Sequence, residues 1–163
     1  MTTKHLKRIM LWLAVFAVAG MVFFFSSMDG PESMKMSSGF TDWFMRSFHP
    51  DYDALSPEKQ QEIYSLFVII VRKAAHFTEF TALGAALILL IHEYQLRRGA
   101  LWAWGIGTLY AATDELHQYF IGSRTPSLFD VGIDSAGVLF GTLAITFVFF
   151  CIASIRDKKT VNK

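Results

Sequence analysis

Asp114, Glu115, His117 and Gln118 close one strongly apolar run of this sequence, and Arg72, Lys73, His76 and Glu79 interrupt another. A charge at the centre of a membrane span costs roughly 2.5 to 3.5 kcal/mol on insertion scales, so residues of this kind face partners, water or a substrate. Their types allow definite chemistry. A carboxylate next to a histidine orients the imidazole for proton transfer, which makes His76, Glu79 and Asp114 the candidate catalytic groups. Arg72, Lys73 and Arg124 could hold a phosphate or carboxylate head group, the two arginines in bidentate fashion. Glu115, Gln118, Asp130 and Asp134 complete the candidate ligand-binding set, while His117 points roughly 60° away from Asp114 on a helix and ranks below them. A set drawn from Glu79, Asp114, Asp130 and Asp134 with His76 could hold a metal. The sequence carries no H-E-x-x-H, however, and His92-Glu93 lacks the second histidine, so neither a metal nor any other cofactor is expected. No G-x-S-x-G is present, which argues against a serine nucleophile.

These residues must be positioned by membrane helices. Of the 163 residues 53% are hydrophobic, and the mean hydropathy is +0.36, which is too apolar for an ordinary soluble domain of this size. A formal charge of +1 gives no basic excess for nucleic acid. Cys151 stands alone, with no second cysteine for a disulfide and no ligand spacing for zinc. The expected fold is all-α: one integral membrane domain over residues 1–163, a bundle of four transmembrane helices at about 9–27, 66–92, 99–119 and 131–155. The first run could be a signal-peptide core, but Phe24-Phe25-Ser26-Ser27-Met28 offers no A-x-A-like cleavage site.

Positive charge sets the orientation. Lys4, Lys7 and Arg8 precede the first span, Arg97 and Arg98 join the second and third, and Arg156, Lys158, Lys159 and Lys163 follow the fourth. Both termini are therefore expected in the cytoplasm. In the outer segment 28–65, Phe40, Trp43, Phe44 and Phe48 recur at helical spacing between Ser37/Ser38 and His49-Pro50, which predicts a short interfacial helix capped by those serines. Ser56-Pro57-Glu58 reads as the N-cap and first turn of the next helix, begun outside the bilayer.

On helices of about 100° per residue, Arg72, His76 and Glu79 share an arc of roughly 60°. Gly107, Ala111, Asp114 and Gln118 share another, and Asp130, Asp134, Gly137 and Gly141 a third. Small residues mark close helix approach, Gly137-x-x-x-Gly141 in particular, so the polar faces are the inward faces. Glu79 and Asp114 lie roughly 10 and 8 Å below the outer boundary at 1.5 Å per residue, which predicts a polar pocket open to the outer leaflet. Five carboxylates, Glu79, Asp114, Glu115, Asp130 and Asp134, face three fixed cations, Arg72, Lys73 and Arg124. Protons, the histidines or a bound cation must balance the remainder.

The order of these residues resembles the VanZ-like family of membrane proteins. Lys73, His76-Phe77, Glu79-Phe80 and Leu83-Gly84 are similar to its K-x-x-H-F-x-E-Y/F-x-x-L-G signature. Asp114-Glu115, Gln118, Arg124, Asp130 and Gly137 resemble its D-E-x-x-Q, R, D, G succession, and Phe25-Ser26-Ser27 with Ser33, Ser37 and Ser38 its early serine-rich segment. Asp134 stands where many members carry Asn, and Phe80 where Tyr is common. The resemblance implies a bacterial cytoplasmic-membrane protein of the cell envelope, with a contribution to teicoplanin-type glycopeptide resistance as for the founding member. It implies no particular reaction. The expected partners are membrane lipids and a lipid-linked cell-wall precursor or the glycopeptide. Three readings stay open: a binding or shielding protein, a small intramembrane hydrolase or transferase acting on a lipid-linked head group, and an ion-pair scaffold.

Overall fold

The computed structural model describes residues 2–28, 30–48, 51–120 and 127–161. Among them there are five α-helices and no strand: α1 (Thr3–Ser26), α2 (Gly30–Phe48), α3 (Pro57–Glu93), α4 (Gly99–Phe120) and α5 (Leu128–Val161), with a 3-10 turn at Tyr52–Ala54. The α1 start follows from Thr2, which sits in extended backbone and accepts a bond from the His5 amide at 3.4 Å. Ser56 takes the N-cap position of α3, with Pro57 in the first turn as its fixed φ favours. Between α3 and α4, Gln95 and Arg98 adopt φ of 54° and 57°, left-handed conformations that reverse the chain within a short loop.

Contacts along the helices fix their directions. Lys7 at the start of α1 pairs with Glu93 at the end of α3 at 2.6 Å, and Trp12 donates to the Tyr94 hydroxyl at 3.2 Å, so α1 and α3 are antiparallel. Tyr110 donates to the Ala19 carbonyl at 2.7 Å, and Ser26 reaches Asp114, so α4 runs parallel to α1. Gly137 lies against Phe77 and Gly141 against Thr81, which sets α5 parallel to α3. Glycine is required here. A Cβ at Gly137 would stand 2.5 Å from the Phe77 carbonyl oxygen, one at Gly141 would run into the Thr81 carbonyl, and one at Gly84 into that of Val138. The expected packing role of Gly137 and Gly141 is met by backbone against backbone. Phe80, Leu83, Ala103, Ala111 and Val138 fill the space between these helices.

The exterior is apolar. Phe16, Phe24, Leu109, Phe147 and Phe150 are all exposed, while Asp114, Gln118 and Asp134 are inside, the reverse of a water-soluble bundle. Among the described residues three helices are long and apolar enough to cross a membrane: Thr3–Ser26, Pro57–Glu93 and Leu128–Arg156. Four spans were expected. The fourth candidate, α4, has 22 residues, enough for about 33 Å, but its Trp, Gly and Thr residues and its polar last two turns keep it out of this group.

The interfacial-helix expectation needs one correction. α2 begins at Gly30 rather than at Ser37/Ser38, seven residues earlier, because Gly30-Pro31-Glu32 offers a proline and an acid in the first turn. It packs on α3. Thr41 and Met45 are buried and the Phe44 ring meets Phe67 of α3 at 4.9 Å, while Phe40, Trp43 and Phe48 remain exposed.

Replacing Gly141 by Val should destabilise the bundle by about 3 kcal/mol, since the added methyl groups must separate two backbones. Gly20→Ala, with nothing within 4 Å of the new carbon, should stay within about 1 kcal/mol. Unfolding of both variants in detergent micelles measures the contrast.

Candidate functional site

Four helices meet at the cluster. Asp114 and Gln118 are one turn apart on α4, so their side chains share a face, and Gln118 Nε2 donates to Asp114 Oδ2 at 2.8 Å. Ser26, at the last turn of α1, donates its hydroxyl to the same oxygen at 2.8 Å, and Gln118 also reaches Ser26 Oγ at 3.3 Å. Ser26, Asp114 and Gln118 thus close a triangle that is buried throughout. Across from it, His76 Nδ1 of α3 lies 3.9 Å from Asp134 Oδ2 of α5. One donor atom from each of His76, Asp114 and Asp134 lies within 4.8 Å of the other two. Glu79, one turn beyond His76 on α3, keeps its Oε2 buried.

The remaining candidates divide by position. Lys73 of α3 forms an ion pair with Asp130 of α5 and also stands 5.1 Å over the Phe129 ring. Both charged side chains are about one-third exposed, at 30% and 33%, so this pair forms a rim, worth at most about 1 kcal/mol. Glu115 turns to the start of α5, where its Oε1 accepts from the Ser127 amide at 2.7 Å, a favoured place for a carboxylate. Arg72 is half-buried and forms no ion pair among the described residues. Arg124 lies outside the described residues. His117 is engaged elsewhere, 3.1 Å from Ser27 Oγ and stacked on Phe23 with ring centres 4.5 Å apart.

The expected charge balance is redistributed. Asp130 has its lysine, but no Lys or Arg pairs with Glu79, Asp114 or Asp134 among the described residues. Glu79 Oε2 and Asp114 Oδ1 are buried without a hydrogen-bond partner. Neutral donors orient Asp114 without compensating its charge. Asp134 is 4% exposed and belongs to the inner group.

The cluster borders an apolar groove of about 470 Å³ between α1, α2 and α3. Met21, Phe40, Ile70 and Ala82 line it, and Glu79 is its carboxylate.

The VanZ/LLP1 family profile matches residues 11–150, which include every residue of the cluster. The chain belongs to the VanZ/LLP1 family. No curated relative and no solved structure gives a match. In this VanZ/LLP1 protein His76 of α3 is brought to Asp114 of α4 and Asp134 of α5, while Lys73 and Asp130 pair at the rim. Ser26 is the addition. Sequence reasoning used it only as part of the early serine pair, yet a polar pair ending an apolar run was the signal for an inward contact.

Ser26→Ala removes one of two donors to a buried carboxylate oxygen and should cost about 2 kcal/mol. Ser65→Ala, which loses an exposed bond to the Glu62 carbonyl of its own helix, should stay within about 0.5 kcal/mol. Denaturation midpoints in mixed micelles compare the two.

Proposed function

We propose that this protein crosses the bacterial cytoplasmic membrane four times with both termini in the cytoplasm, and that its buried acid–histidine cluster receives the polar head of a membrane-borne ligand. By binding or shielding that ligand it contributes to envelope function and to tolerance of teicoplanin-type glycopeptides. The observation that carries this reading is Asp114: a carboxylate 4% exposed in the interior of an apolar bundle, with an oxygen left unpartnered. Such a group is costly to bury and adds little to stability.

Several features support the arrangement. Leu101, Ile106, Leu109 and Leu116 give α4 an exposed apolar face, which suits a fourth span. The N-terminal end of α1, the α3–α4 turn and the C-terminal end of α5 share one end of the bundle and carry Lys7, Arg8, Arg97, Arg98 and Arg156, as the positive-inside rule asks of a cytoplasmic side. The aromatic face of α2 left open by Phe40, Trp43 and Phe48 fits the opposite interface. The groove beside Glu79 is apolar and suits a hydrocarbon tail, with the head group at the cluster. A lipid-linked cell-wall precursor and an acylated glycopeptide both have that form.

An ion-pair scaffold accounts for Lys73–Asp130 and Lys7–Glu93 but not for the inner acids. A second reading is favoured by His76 facing Asp134 and by the unpartnered oxygens of Glu79 and Asp114: a hydrolase or transferase that uses the cluster for acid–base work on a lipid-linked head group.

Expressed in a susceptible bacterium, the wild type should raise teicoplanin tolerance, and Glu79→Gln and Asp114→Asn at matched membrane levels should return it to that of vector-only cells. Equal protection by the variants would remove the cluster from function. Under the enzymatic reading, lipid extracts of wild-type cells contain a new product, formed at least about 100-fold more slowly in the amide variants.

A further inference from the structure

The inner group contains three carboxylates and one imidazole. Glu79 and Asp134 come from helices held in register by glycine contacts, and Asp114 from the helix crossing between them. Lys73, the cation that pairs across the same helices, is committed to Asp130 at the rim. Three carboxylates and one imidazole converge with no Lys or Arg paired to the acids among the described residues, a donor set that suits a cation at its centre.

The geometry points to a divalent-metal site of zinc or manganese class formed by His76, Asp114 and Asp134, with Glu79 as a further oxygen donor. It deepens the reading above, on which it rests for the identity of the working site. The three donor atoms already lie within 4.8 Å of one another. Around an ion with bonds of about 2.1 Å, neighbouring donors stand roughly 3.4 Å apart in a tetrahedron, so a contraction of up to about 1.4 Å by side-chain rotation brings the three donors to bonding distance. Asp114 is set for this role. Its Oδ2 is held by Ser26 and Gln118, which fixes the carboxylate, and its Oδ1, buried and without a hydrogen-bond partner, is the oxygen left to coordinate. Glu79 Oε2 is buried and unpartnered in the same way. One imidazole nitrogen with several carboxylate oxygens fits Zn²⁺ or Mn²⁺ and disfavours a thiolate metal such as Cu⁺. The groove that exposes Glu79 supplies an entry side for a ligand that coordinates through phosphate or carboxylate oxygen.

The test uses the full chain, purified in detergent without a polyhistidine tag, stripped with a chelator and titrated with Zn²⁺ and, separately, Mn²⁺. Bound metal is counted by mass spectrometry while thermal unfolding is followed in parallel. The wild type should take up about one ion per chain and melt at a higher temperature with it. Asp134→Asn and Asp114→Asn should each weaken binding by more than about tenfold, and Gln118→Ala, which removes a support but no donor, by about tenfold. If folded wild type takes up neither ion stoichiometrically, protons alone balance the acids and the proposal falls. It also falls if uptake is unchanged in all three variants, because the ion then sits elsewhere. Where a variant does not fold, the wild-type count and the Gln118→Ala titration still decide. The two readings fail separately: a wild type that binds metal but gives no teicoplanin tolerance sinks the functional reading alone, and one that protects without binding metal sinks the metal site alone.

Discussion

The approach of α3 to α5 governs this molecule. Hydrocarbon gives helices no hydrophobic reason to associate, so they are joined by close packing of small residues. Here the packing is backbone on backbone: Gly84 on Val138, Gly137 on Phe77, Gly141 on Thr81. The same contact sets the site. His76 immediately precedes Phe77 and Asp134 lies one turn before Gly137, so the register that seats the glycines also places the imidazole nitrogen 3.9 Å from the Asp134 oxygen. A one-residue slip between the helices would turn these two side chains apart by about 100°.

Onto that pair α1 and α4 are added, and they contribute direction rather than charge. Ser26 and Gln118 are neutral, but each donates to Asp114 Oδ2 and together they leave the carboxylate one orientation. Glu115, the neighbour of Asp114, points to the other side of the helix and fastens the start of α5 through the Ser127 amide. Consecutive acids on one helix thus do different work. One holds the framework, and the other faces the interior.

Much of this was legible in the sequence. Hydropathy gave the helices and the 3.6-residue period the inward faces, because each of these signals is local to one helix. The family resemblance rested on the same short-range motifs. What the sequence could not show was pairing between helices. Lys73 and Arg72 are adjacent, and only the three-dimensional arrangement distinguishes the one that meets Asp130 from the one that forms no ion pair among the described residues. Asp134 was read only as one of several inward-facing acids, and its place 3.9 Å from the His76 nitrogen depends on how α3 and α5 pack. α2 was misjudged at its start for another reason. Ser37 and Ser38 are good caps, but Gly30-Pro31-Glu32 offers an earlier start and nothing between the two stops a helix.

The division of charge between rim and interior has a functional consequence. Lys73–Asp130 is partly solvated, so breaking it returns both ions to water at little cost. Asp114 and Asp134 have no such exit, for each is 4% exposed and lacks a Lys or Arg partner among the described residues. Their counter-charge must therefore arrive from outside the set of fixed side chains. A covalently attached cation would satisfy the acids permanently and leave an inert strut. A mobile one, whether proton, metal ion or charged ligand, leaves the same acids able to change state. The burial of acids beside neutral hydrogen-bond donors is an arrangement that stability alone does not favour, and a mobile counter-charge is what the proposed ligand or metal ion would supply.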